Sequence, residues 1–302
     1  MTVSPADVAA AAERIRGRVR RTPVLEVSPT LTLKLELVQH TGSFKPRGAF
    51  NRVLSADVGA KGVIAASGGN AGLAVAHVAH ELGIPAHIFV PRTAPEIKVR
   101  RLRELGAQVE LTGTEYADAY AAAVEAANES GALLVHAYDQ PEIVAGQGTL
   151  GLELLEQVDG FDTVLVAVGG GGLMGGIATA IGDRARVVGV EPERCPTLHS
   201  ALAAGEPVDV AVSGCAADSL GARRLGGHAF AAATSYGVSS LLVGEDAIQQ
   251  ARRELWQRFR LVVEHGAATA YAALTTGAYQ PAAGERVVVV VCGANTDPSD
   301  LR

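Results

Sequence analysis

Cysteine is nearly absent from this chain: 302 residues carry three, Cys195, Cys215 and Cys292, far apart and without a C-x-x-C pair. That spacing excludes a disulfide framework and a zinc knuckle, and it predicts a reducing, cytoplasmic compartment. Charge is scarce as well. Charged residues make up 19% of the chain, and 26 lysines and arginines against 32 acids leave a net charge of −6. No polycationic surface for nucleic acid or an anionic membrane follows from such a balance. The one basic cluster, Lys98, Arg100, Arg101 and Arg103, shares its helical pattern with Glu96 and Glu104 and reads as a solvated face. The opening MTVSPADVAA lacks the basic and apolar regions of a secretory signal. Residues 163–182 carry no charge and match a membrane span in length, but the interior GGGGLMGG divides them into a short strand and a helix.

Glycine is what the chain has in quantity, 35 residues within a composition that is 48% hydrophobic. Tight turns and close backbone approaches are therefore expected in a globular protein. Ser4, Pro5 and Asp7 provide an N-cap, an N1 proline and a first-turn acid for a helix with Val8, Ala11, Ala12, Ile15 and Val19 on one face. Leu33, Leu35 and Leu37 alternate with polar residues as a strand does. Strands at 62–66, 86–90, 108–111 and 132–136 then alternate with helices at 71–82, 95–105 and 114–128. A loop containing DQPEIVAGQG leads to a helix at 150–157. Strands at 163–168, 187–190, 238–243 and 286–291, with helices ending near 182 and at 245–259 and 267–276, complete the pattern. Such alternation predicts an α/β fold of mostly parallel sheets covered by helices. The expected division places a lobe of residues 56–140 within a larger one made of 1–55 and 141–302.

Four stretches carry chemistry. In TGSFKPRGAFN, Lys45 follows a glycine turn and Phe44 and precedes a helix start, so its amine can point inward, where desolvation lowers its pKa and makes it a nucleophile or base. Gly169, Gly170, Gly171 and Gly172 sit where a buried strand hands over to a helix, and their amides can converge on a phosphate. Gly170, Gly172 and Gly175, with Glu191 about twenty residues on, also fit a dinucleotide fingerprint, so a nicotinamide oxidoreductase is a competing reading. Ser67, Gly68, Gly69 and Asn70 form a second strand-to-helix junction suited to a carboxylate. Cys292 and Asn295 follow the last strand. His77 and His80 lie three apart on a helix, without a spaced third metal ligand.

TGSFKPRGAFN, SGGNAG, GQGTLGLELLEQ, VGGGGLMGG, GVEPE and VVVVCGAN, in that order, resemble the serine/threonine dehydratases of the fold type II pyridoxal-phosphate family. The resemblance implies a two-domain, tryptophan synthase β-like fold, with 1–55 plus 141–302 binding pyridoxal 5′-phosphate and 56–140 binding substrate. It implies that Lys45 is the Schiff-base lysine, that Phe44 packs on the ring, and that Asn70 bonds the ring 3′-oxygen. Gly169, Gly170, Gly171, Gly172 and Leu173 would hold the phosphate, and Cys292 would face the pyridine nitrogen. Ser67, Gly68, Gly69, Asn70 and Ala71 would bind the substrate carboxylate.

The implied activity is β-elimination from L-serine or L-threonine, giving a 2-oxo acid and ammonia, in a cytoplasmic homodimer. A racemase or β-replacement synthase is the alternative within the family. Gly68 stands where racemases have a serine hydroxyl, which disfavours racemisation. Glu191 matches a cation ligand of the family, and with Cys195 it marks a candidate monovalent site; Thr197 replaces the acid of the racemases. The chain ends ten residues after Cys292, which leaves no room for the regulatory domain of the biosynthetic threonine dehydratases.

Overall fold

Ser4 opens the chain's first helix as its residues predict. Its hydroxyl accepts from the Asp7 amide, and the Asp7 carboxylate accepts from the Ser4 amide, which caps α1 (Pro5–Arg14) from both directions. The computed structural model describes residues 2–301.

The remaining elements are organised by two sheets. The larger runs β1-β2-β10-β7-β8-β9, from β1 (Val24–Ser28), β2 (Leu31–Lys34), β7 (Thr163–Ala167), β8 (Arg186–Pro192), β9 (Ser239–Val243) and β10 (Val287–Val290). Only the β1–β2 pair is antiparallel. The smaller runs β5-β4-β3-β6, from β3 (Val63–Ala66), β4 (Ala86–Val90), β5 (Gln108–Leu111) and β6 (Leu133–Leu134), and is wholly parallel.

Helices α2 (Lys45–Leu54), α3 (Asn70–Leu82), α4 (Glu96–Glu104) and α5 (Tyr116–Ser130) belong to the first half. They are followed by α6 (Pro141–Gln157), α7 (Gly172–Ile181), α8 (Thr197–Ala204), α9 (Ala217–Leu220), α10 (Gly227–Ser235), α11 (Glu245–Phe259) and α12 (His265–Thr275). The strands β3, β7 and β10 are buried at every position, as the largely apolar runs VIAA, TVLVA and VVVV covered on both faces require. This is the expected α/β architecture. Residues 163–182 form β7 and α7, and none of the helices among the described residues is long and apolar enough to cross a membrane.

Several elements differ from the sequence expectation. The alternation through Leu37 ends early: β2 stops at Lys34, and Glu36–Val38 is a 3-10 turn. The helix expected at 150 begins at Pro141, and α8, α9 and α10 lie between β8 and β9, where the sequence pattern names no element.

Candidate active site

The turn that presents Lys45 is fixed from both sides. Thr41 and Gly42 take positive φ (59° and 76°), and the Phe44 amide donates to the Cys292 carbonyl at 3.1 Å, so this segment lies against the end of β10. The Lys45 amine is enclosed, donates to the Ala137 carbonyl at 2.7 Å, and sits 5.0 Å from the Phe44 ring centroid. Burial pushes its pKa down to about 8, against the pull of Cys292 and Glu264. Behind it, α2 is anchored by Arg47, whose guanidinium grips both oxygens of Glu36 (2.6 and 2.9 Å) and donates to Glu153 of α6 at 2.7 Å. The second Glu153 oxygen accepts from the buried Lys34 at 2.7 Å. Two cations and two carboxylates thus lock the lysine-bearing helix onto β2 and α6.

Three other strand ends converge on the same place. After β7 the chain makes the glycine turn into α7. Gly171 has φ 84°, and a Cβ on Gly170 would lie 2.2 Å from the Tyr138 ring, so no larger residue fits there. The first turn of α7 leaves amides without intrahelical partners. After β3, Ser67, Gly68 and Gly69 lead into α3 at Asn70. After β10 comes Cys292, buried, its thiol pushed up by burial and therefore neutral.

Phe44, Lys45, Asn70, Gly169, Gly170, Gly171, Gly172, Leu173 and Cys292 all line one cleft. Ser67 and Ala71 are outside that lining, while Gly68 and Gly69 line an adjoining cavity.

Sequence reasoning missed Glu264, which precedes α12 and lines both cavities. Both its carboxyl oxygens accept from Asn70 Nδ2, at 2.9 and 3.1 Å, and burial pushes it up to about 7. A glutamate before a small-residue helix looks like ordinary N-terminal chemistry, so its local sequence carried no signal. Gln147, in the GQG that read as loop, also lines the cleft, and its Oε1 is buried without a partner.

Glu191 is far from free. Its Oε1 accepts from the Leu198 amide (2.6 Å) and lies 3.2 Å from Thr197 Oγ1, whose single hydrogen goes to the Gly169 carbonyl at 2.5 Å, and its Oε2 accepts from the His199 amide and Ser240 Oγ (both 2.8 Å). Three donors, two of them first-turn amides, hold a carboxylate that here caps α8. Glu191 is fully buried in that cap and presents nothing to a ribose, which removes the acid that the dinucleotide reading needed. Cys195 donates its thiol to the Ser213 carbonyl at 3.3 Å, and burial pushes its pKa up. His77 stacks on His40 at 4.9 Å and meets Phe50 edge-on, while His80 is exposed.

Residues 15–293 match the profile of the pyridoxal-phosphate dependent enzymes. The chain belongs to that family. L-Threonine ammonia-lyase of Geobacter sulfurreducens is 40% identical over 297 residues, covering 94% of this chain and 74% of the relative. Maize serine racemase superposes with a TM-score of 0.93 at 32% identity, covering 100% of this chain and 96% of that one. The threonine deaminase of T.th. superposes with a TM-score of 0.89 at 35% identity, covering 97% of this chain and 99% of that one.

The cleft fits the family's cofactor on its own features. It offers an enclosed amine with a lowered pKa, a turn of glycines whose Cβ positions are blocked, a neutral thiol, and the unpartnered Gln147 oxygen. Asn70 Nδ2 lies within hydrogen-bond reach of both Glu264 oxygens, so a ring oxygen would share this donor with Glu264.

Proposed function

We propose that this pyridoxal-phosphate dependent enzyme is an ammonia-lyase that converts L-serine or L-threonine to a 2-oxo acid and ammonia. The observation that carries the reading is the enclosed Lys45 amine in one cleft with the glycine turn, Asn70 and Cys292, in a chain 40% identical to an L-threonine ammonia-lyase. Gly169, Gly170, Gly171, Gly172 and Leu173 would hold the phosphate, Phe44 would pack on the ring, Asn70 would bond its oxygen and Cys292 would face its nitrogen. When bound, the cofactor supplies an electron-withdrawing ring for the pair left when Cα loses its proton.

Lys45 does the proton work. With a pKa near 8, a useful fraction of its amine is neutral at physiological pH and can take the Cα proton. In the loop Ser67, Gly68, Gly69, Asn70 and Ala71, the Ser67 hydroxyl and the amides of Gly68, Asn70 and Ala71 would fix the substrate carboxylate, orienting Cα toward that amine, while the Ser67 and Gly69 amides are held by the Phe89 carbonyl and Ser67 Oγ. Cys292, as a neutral thiol, provides no carboxylate to hold a proton on the ring nitrogen, which favours prompt loss of the β-hydroxyl over a long-lived carbanion. The net change is the β-hydroxy amino acid to 2-oxo acid plus ammonia. Water leaves in the elimination and returns in hydrolysis of the released enamine.

In this reading residues 1–55 with 141–302 form the cofactor-binding domain and 56–140 the substrate-binding domain, within a cytoplasmic homodimer that light scattering can size. A monovalent cation at Glu191 would use the one lone pair of Oε1 that has no donor, inside the buried cap of α8. Comparing rates in potassium and tetramethylammonium buffers decides that point. The central test is the visible absorption of the purified protein together with 2-oxo acid formation from serine and threonine. Lys45→Ala should abolish the cofactor band and lower turnover by at least about 10²–10⁴-fold. A colourless wild type that forms no 2-oxo acid would end the proposal.

A further inference from the structure

Arg252, midway along α11, is 2% exposed, and no step of the reaction above uses it. A guanidinium leaves water at little cost only where fixed acceptors replace its hydration. Here Nε donates to the Val263 carbonyl at 2.7 Å, Nη2 donates to Thr296 Oγ1 at 3.0 Å and to the Asp297 carbonyl at 2.8 Å, and Nη1 pairs with Asp300. These acceptors lie on two stretches of chain, one ending just before Glu264 and one starting just after Asn295. Those two residues hold Asn70. Both Glu264 oxygens accept from Asn70 Nδ2, while Asn295 Nδ2 donates to Asn70 Oδ1 and to the Thr41 carbonyl of the Lys45 turn, each at 2.7 Å. The Glu264 amide also donates to the Gly293 carbonyl at 3.1 Å, so the two stretches are joined by backbone as well.

We propose that Arg252 is a positioning residue for the reaction: by pinning residues 296–300 against the turn before α12, it fixes Glu264 and Asn295 around the Asn70 carboxamide and so sets how Asn70 Nδ2 faces the cleft. The kinetic consequence rests on the ammonia-lyase reading; the placement of Asn70 does not. The terminal torsion of an asparagine is broad and roughly two-fold, so the side chain alone does not choose which of its polar atoms meets a ligand. The choice is made by an acceptor pair at one atom and a donor at the other, and each of these is anchored through a neighbour of Arg252. A lysine at 252 would keep the charge, but a single ammonium on a flexible stem lacks the fork that spans both stretches. Arg252 touches neither cavity and acts only through Glu264 and Asn295.

The test is a double-mutant cycle in holoenzyme between Arg252→Lys and Asn70→Ala, read as kcat for 2-oxo acid formation from serine and as the visible band of the bound cofactor. Arg252→Lys is expected to lower kcat by about 10- to 100-fold and to shift the band in the wild-type background. In the Asn70→Ala background it should change neither, because the group it positions is gone. A merely structural arginine would lower kcat by the same factor in both backgrounds, and equal factors overturn the proposal. The cofactor-free protein provides a reading independent of activity. The chain has four asparagines, Asn51, Asn70, Asn128 and Asn295, so selective ¹⁵N labelling resolves their side-chain amides, with Asn70 assigned by its loss in Asn70→Ala. Arg252→Lys should move or broaden the Asn70 and Asn295 signals and leave those of Asn51 and Asn128 in place. Asp300→Ala, which removes one acceptor from a half-exposed side chain, should do the same more weakly, and it decides the matter alone where Arg252→Lys does not fold. An Asn70 signal unmoved in every folded variant sinks the assignment. A wild type that forms no 2-oxo acid would count against the ammonia-lyase reading instead, and the amide spectra would still decide the role of Arg252.

Discussion

At the scale of single residues, the cleft is governed by groups whose protonation is set by burial. Glu264 is the sharpest case, because a carboxyl with an ordinary value of 4.5 is pushed up to about 7 at 7% exposure. The folded chain therefore holds a proton that the unfolded chain releases between those values. Stability should fall as pH rises from about 4.5 to about 7, by up to about 3 kcal/mol, and then level off. Glu264→Gln keeps the shape and removes the titration, so urea midpoints of the cofactor-free protein should lose that slope relative to wild type. Parallel slopes in the two proteins would contradict the assignment. Gly68 offers a different kind of test. A Cβ there would stand 3.0 Å from Val90 Cγ1 and 3.8 Å from Ala94 Cβ, so a serine fits if Val90 yields by a few tenths of an ångström. Gly68→Ser should add racemisation to elimination, visible as D-serine in the residual substrate by chiral chromatography. Wholly L residual substrate would refute the argument from the missing hydroxyl.

At the scale of elements, the buried charge network explains why Lys45 stands where it does. Arg47 and Glu36 are both essentially unexposed, with side-chain exposures of 1% and 0%, and join the helix carrying the lysine to the turn after β2. Arg47→Ala would leave the Glu36 carboxylate buried without its guanidinium. About 3–5 kcal/mol of stability should be lost, read as a lower urea midpoint. Arg47→Lys should recover only part, since an ammonium cannot grip two oxygens at once.

The same elements show what was legible in the sequence. Strand runs of Val, Ile and Leu announced β3, β7 and β10, and the glycine and lysine turns between them located most of the cleft. The start of α6 was hidden because its glycines read as breakers. In the structure, a Cβ on Gly146 would lie 2.6 Å from the Arg47 carbonyl and one on Gly148 2.7 Å from the Gly176 carbonyl. Those glycines let α6 approach α2 and α7, and packing overrides helix propensity. The N-terminus of α8 is held by Glu191 from β8, a cap from outside the helix that no local signal announces. Glu36, too, leaves the strand pattern early because it must meet Arg47.

At the scale of the molecule, the cleft is lined from the strand ends of both sheets, and polar contacts cross it. Asn70 of α3 reaches Glu264, Lys98 of α4 pairs with Asp218, and Arg101 reaches Asn295. The glycine turn and Cys292 follow strands of the larger sheet, and Asn70 follows a strand of the smaller, so a ligand that engages all of them ties the halves together. Anything that binds the folded state and not the unfolded one adds stability by mass action, about 2.7 kcal/mol at a hundredfold excess over Kd. Pyridoxal 5′-phosphate added to cofactor-free protein should therefore raise the urea midpoint with concentration, and Lys45→Ala should blunt that rise by losing the bond that Lys45 supplies. Hydrogen exchange locates the effect. Protection should grow at α3 as well as at α7, because Asn70 and the glycine turn would share one ligand. Protection confined to α7 would mean that the cofactor is held by the larger sheet alone and that Asn70 takes no part in holding it.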